Sequence, residues 1–109
     1  MEALLALPER PDAVVAANDL QAIGAMQALA RHGLDVPGDV AIIGFDGLEE
    51  GEYVTPPLTS VYQPISAIGR AAVRLLLARL GDPEAQVCEE VLPVELIVRG
   101  SCGEHDSSE

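Results

Sequence analysis

The chain has 109 residues, 49% of them apolar, with eighteen Asp and Glu against six Arg, no Lys and a formal net charge of −12. That length suits one domain with a core of its own, and a surface of that sign repels phosphate backbones, which excludes a nucleic-acid-binding face on this stretch. Cys88 and Cys102 lie fourteen positions apart with no second cysteine pair, so they read as reduced thiols of a cytoplasmic protein, and no apolar run reaches the length of a membrane span.

The first seven residues, MEALLAL, read as the last turn or two of a helix whose beginning lies upstream, followed by a Pro-bracketed turn over Pro8–Asp12. On that pattern the chain is expected to be a fragment of a larger protein. Residues 13–17 (AVVAA) form a strand whose continuous apolar character implies burial on both faces, as in parallel sheets. Asn18 and Asp19 then cap a helix over about Leu20–His32, with Gly33 as its left-handed stop and Pro37 preventing a restart. Arg31 is the only formal charge in that helix up to position 31, so one side is expected to meet a sheet and another a partner.

Val40–Phe45 (VAIIGF) is a second strand. Strand, helix, strand in 34 residues, 13–46, is a βαβ unit, and its strands run parallel because the helix carries the chain back. Ligands of such sheets collect beyond the carboxyl ends of the strands, where Asn18, Asp19 and Asp46 stand. From Asp46 to Pro57 the acidic, Gly- and Pro-containing sequence predicts a surface loop with at most a short helical turn.

Leu58–Tyr62 (LTSVY) is strand-like, and Pro64 opens a second helix running to about Leu80, closed by Gly81. Ile65, Ile68, Ala72, Leu76 and Leu80 recur at helical spacing, Val73 and Leu77 widen the stripe, and Arg70 and Arg74 form a solvated face. Two further strand-like runs, VCEEVL and VELIVR, lie in 87–99 on either side of Pro93, the second alternating like a half-exposed edge strand. The tail 103–109 (GEHDSSE) is polar and expected to be disordered.

Three stretches together carry a resemblance: PDAVVAANDLQAIGAMQALARHGLDVPGDVAIIGFD, TPPLTSVYQPISAIGRAAVRLLLARL and EEVLPVELIVRGSC, which cover about Pro11 to Cys102 in order. They resemble the ligand-binding domain of LacI/GalR-type transcriptional regulators. The resemblance implies an α/β parallel-sheet sandwich of the type I periplasmic-binding-protein-like fold, present as a C-terminal fragment. It also implies effector sensing and homodimerisation, with operator DNA contacted only through an N-terminal helix-turn-helix outside this sequence. Helix 64–80 would belong to the other lobe of the intact domain.

Asn18 has a bland reading as a helix cap, and Asp46, before Gly47, one as a turn residue. The resemblance implies instead that Asn18 and Asp46, with Gln63 from the interlobe segment, face the effector, a sugar or purine-like molecule, whereas Asp19 caps. Asp46 there can accept bidentate hydrogen bonds from vicinal hydroxyls or a ring N–H. Gly47 departs from the family, where a second Asp is usual. Leu20, Ile23, Gln27 and Arg31 on the first helix, and Tyr53 in the loop, would be dimer-interface residues by the same resemblance.

His32, at a helix C-terminus, and His105 receive no role. No phosphate-binding glycine motif, nucleophile–base pair or metal-ligand spacing is present, so no catalytic residue, cofactor or metal is assigned. A solute-binding component of a transporter with the same fold is the alternative, and it would need an export signal that the sequence does not show.

Overall fold

The computed structural model describes residues 1–103, and the tail beyond them lies outside the described residues. In chain order it contains α1 (Glu2–Leu5), β1 (Ala13–Val15), α2 (Asp19–Arg31), β2 (Ala41–Asp46), a 3-10 turn (Glu49–Glu52), β3 (Thr59–Tyr62), α3 (Ile65–Gly81), β4 (Glu95–Ile97) and a second 3-10 turn (Gly100–Cys102). Two compact units result, one from residues 1–62 together with 95–103, the other from 63–94.

The first unit is built on one sheet in the order β1-β2-β3-β4. β1 runs parallel to β2 in the register Ala13↔Ala41 and Val15↔Ile43, and β2 parallel to β3 from Ile43↔Thr59 to Asp46↔Tyr62. β4 closes the far edge antiparallel to β3, with Val61 opposite Leu96. The expected βαβ unit is therefore present, with α2 as its crossover.

α2 begins where Asn18 Oδ1 accepts the backbone N–H of Gln21 at 2.8 Å, and ends where Gly33 takes φ 70°. Its buried face, Ala22, Met26 and Leu29, packs with Val40, Ile42 and Leu58 into the core. Burial of each large side chain there contributes about 1.5–3 kcal/mol. α1 adds Met1 and Leu5 to the same core, and its Glu2 carboxylate meets Arg31 and His32 at the C-terminal end of α2.

The C-terminal turn is fastened beneath the sheet by hydroxyl groups. Ser101 is fully buried; its Oγ donates to the carbonyl of Ile42 at 2.6 Å and accepts the N–H of Thr59 at 2.8 Å. Thr59 Oγ1 accepts the N–H of Arg99 at 2.8 Å, and the Arg99 guanidinium donates to the carbonyl of Leu58 at 3.0 Å and pairs with Glu52.

The second unit holds α3 and the irregular segment that follows it. Ala71 is the buried residue of α3, and a cavity of about 400 Å³ lies between Ile68, Ala71 and Leu75 on the helix and Val91, Leu92 and Val94 after it. Arg74 pairs with Glu90 rather than standing in solvent alone. Ile65, Val73, Leu76, Leu77 and Leu80 remain exposed, Leu77 by 62%.

Four expectations need correction. β1 is an edge strand, not one buried on both faces: Val15 is 76% exposed, and among the described residues β1 pairs with β2 alone. VCEEVL forms no strand; residues 87–91 are exposed, and of the two runs only Glu95–Ile97 enters the sheet. α3 includes Gly81 as its last residue, one past the expected end at about Leu80, and Asp82 is its C-cap. Asp19 does not cap α2, since Asn18 does so and Asp19 is wholly buried.

Candidate functional site

Parallel pairing sets the geometry of the candidate site. Val15 and Ile43 are register partners, so Asn18 and Asp46 each stand three residues past a paired position at the same end of adjacent strands. The crevice outside the carboxyl ends of such strands is where open α/β sheets bind ligands. Asn18 contributes Oδ1 to the helix cap, and its Nδ2 has no partner among the described residues.

Asp46 ends β2 with φ 124°, the only positive φ of a residue other than glycine among those described. L-residues with a side chain rarely adopt that backbone, and such outliers persist only where their surroundings over-determine them. Here the two following amides are held. The N–H of Gly47 donates to Ser60 Oγ at 3.0 Å, and that of Leu48 to Asp19 Oδ2 at 2.7 Å. Ser60 Oγ in turn donates to Asp19 Oδ1 at 2.6 Å.

Asp19 and Ser60 are fully buried, and each oxygen of the Asp19 carboxylate receives a hydrogen bond. A buried carboxylate is tolerated only when bonded in this way. Glycine at 44 is a condition of the arrangement, because a Cβ there would overlap Asp19 Oδ1 and press on Leu58 Cδ2 at 3.0 Å. Gly47 adopts φ 72°, and a Cβ at that position would come within 2.8 Å of Tyr62.

Gln63 directly follows Tyr62 in the chain, is half-buried and belongs to the second unit, where it lines the cavity beside α3. The structure thus brings Asn18 and Asp46 to one rim of the first unit and places Gln63 in the other unit. Of the residues expected at a dimer interface, Leu20, Gln27 and Arg31 are exposed on α2 and Ile23 is half-buried against the core. Tyr53 is 74% exposed, its hydroxyl donating to Glu49 at 3.3 Å. Ile23, Met26, Gln27 and Ala30 line a shallow groove of about 230 Å³ with Val54 and Thr55 of the loop after Tyr53.

Sequence reasoning did not single out Ser60, Gly44 or Ser101. A signal existed for the first: Thr59 and Ser60 are adjacent hydroxyl residues inside an apolar strand, and buried hydroxyls require partners. For Ser101 no signal was present. Among the described residues no group of His, Cys, Asp and Glu could hold a metal ion, and no helix is long and apolar enough to cross a membrane.

Comparison with known proteins adds a second line. Residues 1–102 match the family described as periplasmic binding protein-like domain. The HTH-type transcriptional regulator MalR of Streptomyces coelicolor is 48% identical over 89 residues, which are 82% of this chain and 26% of MalR. The chain therefore spans about a quarter of that relative's length. A LacI family transcriptional regulator from Enterococcus faecalis V583, solved with bound ribose, superposes with a TM-score of 0.84 at 37% identity, over 96% of this chain and 39% of that one. The lac repressor dimer bound to operator and an anti-inducer superposes with a TM-score of 0.77 at 34% identity, over 86% of this chain and 28% of that one.

Proposed function

The chain belongs to the periplasmic binding protein-like domain family, in its LacI/GalR-type branch, and we propose that it is the effector-sensing and dimerisation part of a DNA-binding transcriptional repressor that responds to a small molecule of the sugar or nucleobase class. The observation that carries the reading is the shared rim: Asn18 follows β1 and Asp46 ends the neighbouring parallel strand β2, one offering amide donors and the other a carboxylate acceptor. That combination recognises hydroxyl pairs or a ring N–H beside a carbonyl. The ribose-bound relative supports the sugar class.

Residues 1–102 are the C-terminal portion of the effector-binding domain in this reading, with helix 64–80 seated in the opposite lobe and Gln63 reaching the effector from the interlobe segment. Leu20, Ile23, Gln27, Arg31 and Tyr53 meet a second copy of the protein. Operator contact comes from sequence outside this acidic chain, whose own charge opposes phosphate. Effector binding favours one arrangement of the lobes over another, and the differential affinity shifts the dimer between DNA-binding and released populations. The place of action is the cytoplasm, where operator DNA lies.

A thermal-shift screen of the full gene product against pentoses, disaccharides and purine bases tests this reading. A rise in Tm with one chemical class supports it, since a ligand that binds only the folded state stabilises by mass action. A flat response to every class contradicts it.

A further inference from the structure

We propose that Asp19 and Ser60 are positioning residues for Asp46: although buried and out of reach of any ligand, they hold the backbone that fixes its left-handed conformation. The functional meaning of this pair rests on the effector reading of Asp46 given above. The geometry of the pair does not depend on that reading.

Three elements converge on this point. Asp19 is the first residue of α2, Ser60 lies in β3 opposite Gly44, and Gly47 and Leu48 leave the end of β2. The Asp19 carboxylate accepts the Ser60 hydroxyl at 2.6 Å and the Leu48 N–H at 2.7 Å, while Ser60 Oγ accepts the Gly47 N–H at 3.0 Å. Asp46 immediately precedes these two amides and has φ 124°. Gly44 leaves room for the carboxylate to sit across β2, so the helix start, the middle strand and β3 are joined through one side chain. Sheet pairing ends at Asp46↔Tyr62, so the N–H groups of residues 47 and 48 are held by those two acceptors and not by the ladder.

The test uses the 109-residue chain without ligand. The three-bond HN–Hα coupling of Asp46 reads φ directly: it is small at the observed angle and large at an extended value of about −120°. Ser60→Ala and Asp19→Ala are expected to raise that coupling and to speed hydrogen exchange of the Gly47 and Leu48 amides by about tenfold or more. Ser60→Thr, which keeps the hydroxyl, is expected to return both to wild-type values, which a merely space-filling role of Ser60 does not predict.

An unchanged Asp46 coupling in folded Ser60→Ala overturns the proposal. So does a wild-type chain in which the Leu48 amide exchanges as fast as an unstructured peptide, a result available even if both alanine variants fail to fold. Absence of sugar or purine binding would overturn the effector reading and leave these ligand-free readouts untouched.

Discussion

Asn18 Oδ1 accepts the backbone N–H of Gln21 at 2.8 Å, so the residue proposed to face the effector is also the cap of α2. The two roles use different atoms of one amide. Asn18→Asp retains the capping oxygen and is expected to leave Tm within a few degrees, whereas Asn18→Ala is expected to cost about 1 kcal/mol of stability. Chemical denaturation of the 109-residue chain checks the difference; equal stability of the two variants contradicts a capping role.

Gly44→Ala is expected to destabilise the first unit by about 1–3 kcal/mol, as overpacking of a close-packed site does. The added Cβ would collide with the Asp19 carboxylate and with Leu58, both fully buried. A thermal melt unchanged from wild type would show that Asp19 does not lie across Gly44.

Ser101→Ala removes an acceptor from the N–H of Thr59 and a donor from the carbonyl of Ile42 inside the sheet. Leaving buried backbone groups unsatisfied costs about 1–3 kcal/mol. Urea unfolding should show a lower midpoint with an unchanged m-value, and no shift in midpoint would refute the fastening of the C-terminal turn.

The pH dependence of α1 has a definite sign. The hydrogen bond from His32, followed by its charge and those of Arg31, holds the Glu2 carboxyl below its ordinary value of 4.5. A lowered folded-state value means that the contribution is present in full above the unfolded value and is lost as pH falls through the folded one. Acidification below about 4.5 should therefore loosen α1 from α2 in the wild-type chain, and Glu2→Gln should remove that component of the pH profile. Identical acid profiles for both would contradict the contact.

The fold was legible in the sequence where several local signals agreed. AVV, the Asn18 cap, the Gly33 stop and AIIGF together specify a crossover between parallel strands, and each lies within a residue or two of the observed bounds. Legibility failed where environment, not local pattern, decides. Val15 looks like a core residue, yet its exposure follows from β1 being an edge, a property of strand order. VCEEVL looks strand-like by its valines, yet residues 87–92 join no strand.

At the candidate site the rim residues were readable, because strand ends can be found from periodicity. Their support was not. Asp19 and Asn18 are equally good caps by type, and only the 41-residue separation between Asp19 and Ser60 closed by folding shows which of them turns inward. Long-range hydrogen bonds of that kind leave no periodic trace.

The most direct measurement of the account is isothermal titration of the full gene product with whichever sugar or purine base raises its Tm, comparing wild type with Asp46→Ala. The expected result is a loss of affinity greater than tenfold, about 1.4 kcal/mol or more, with the variant still folded. Unchanged affinity in a folded Asp46→Ala protein would contradict the assignment of the β1–β2 rim as the effector site.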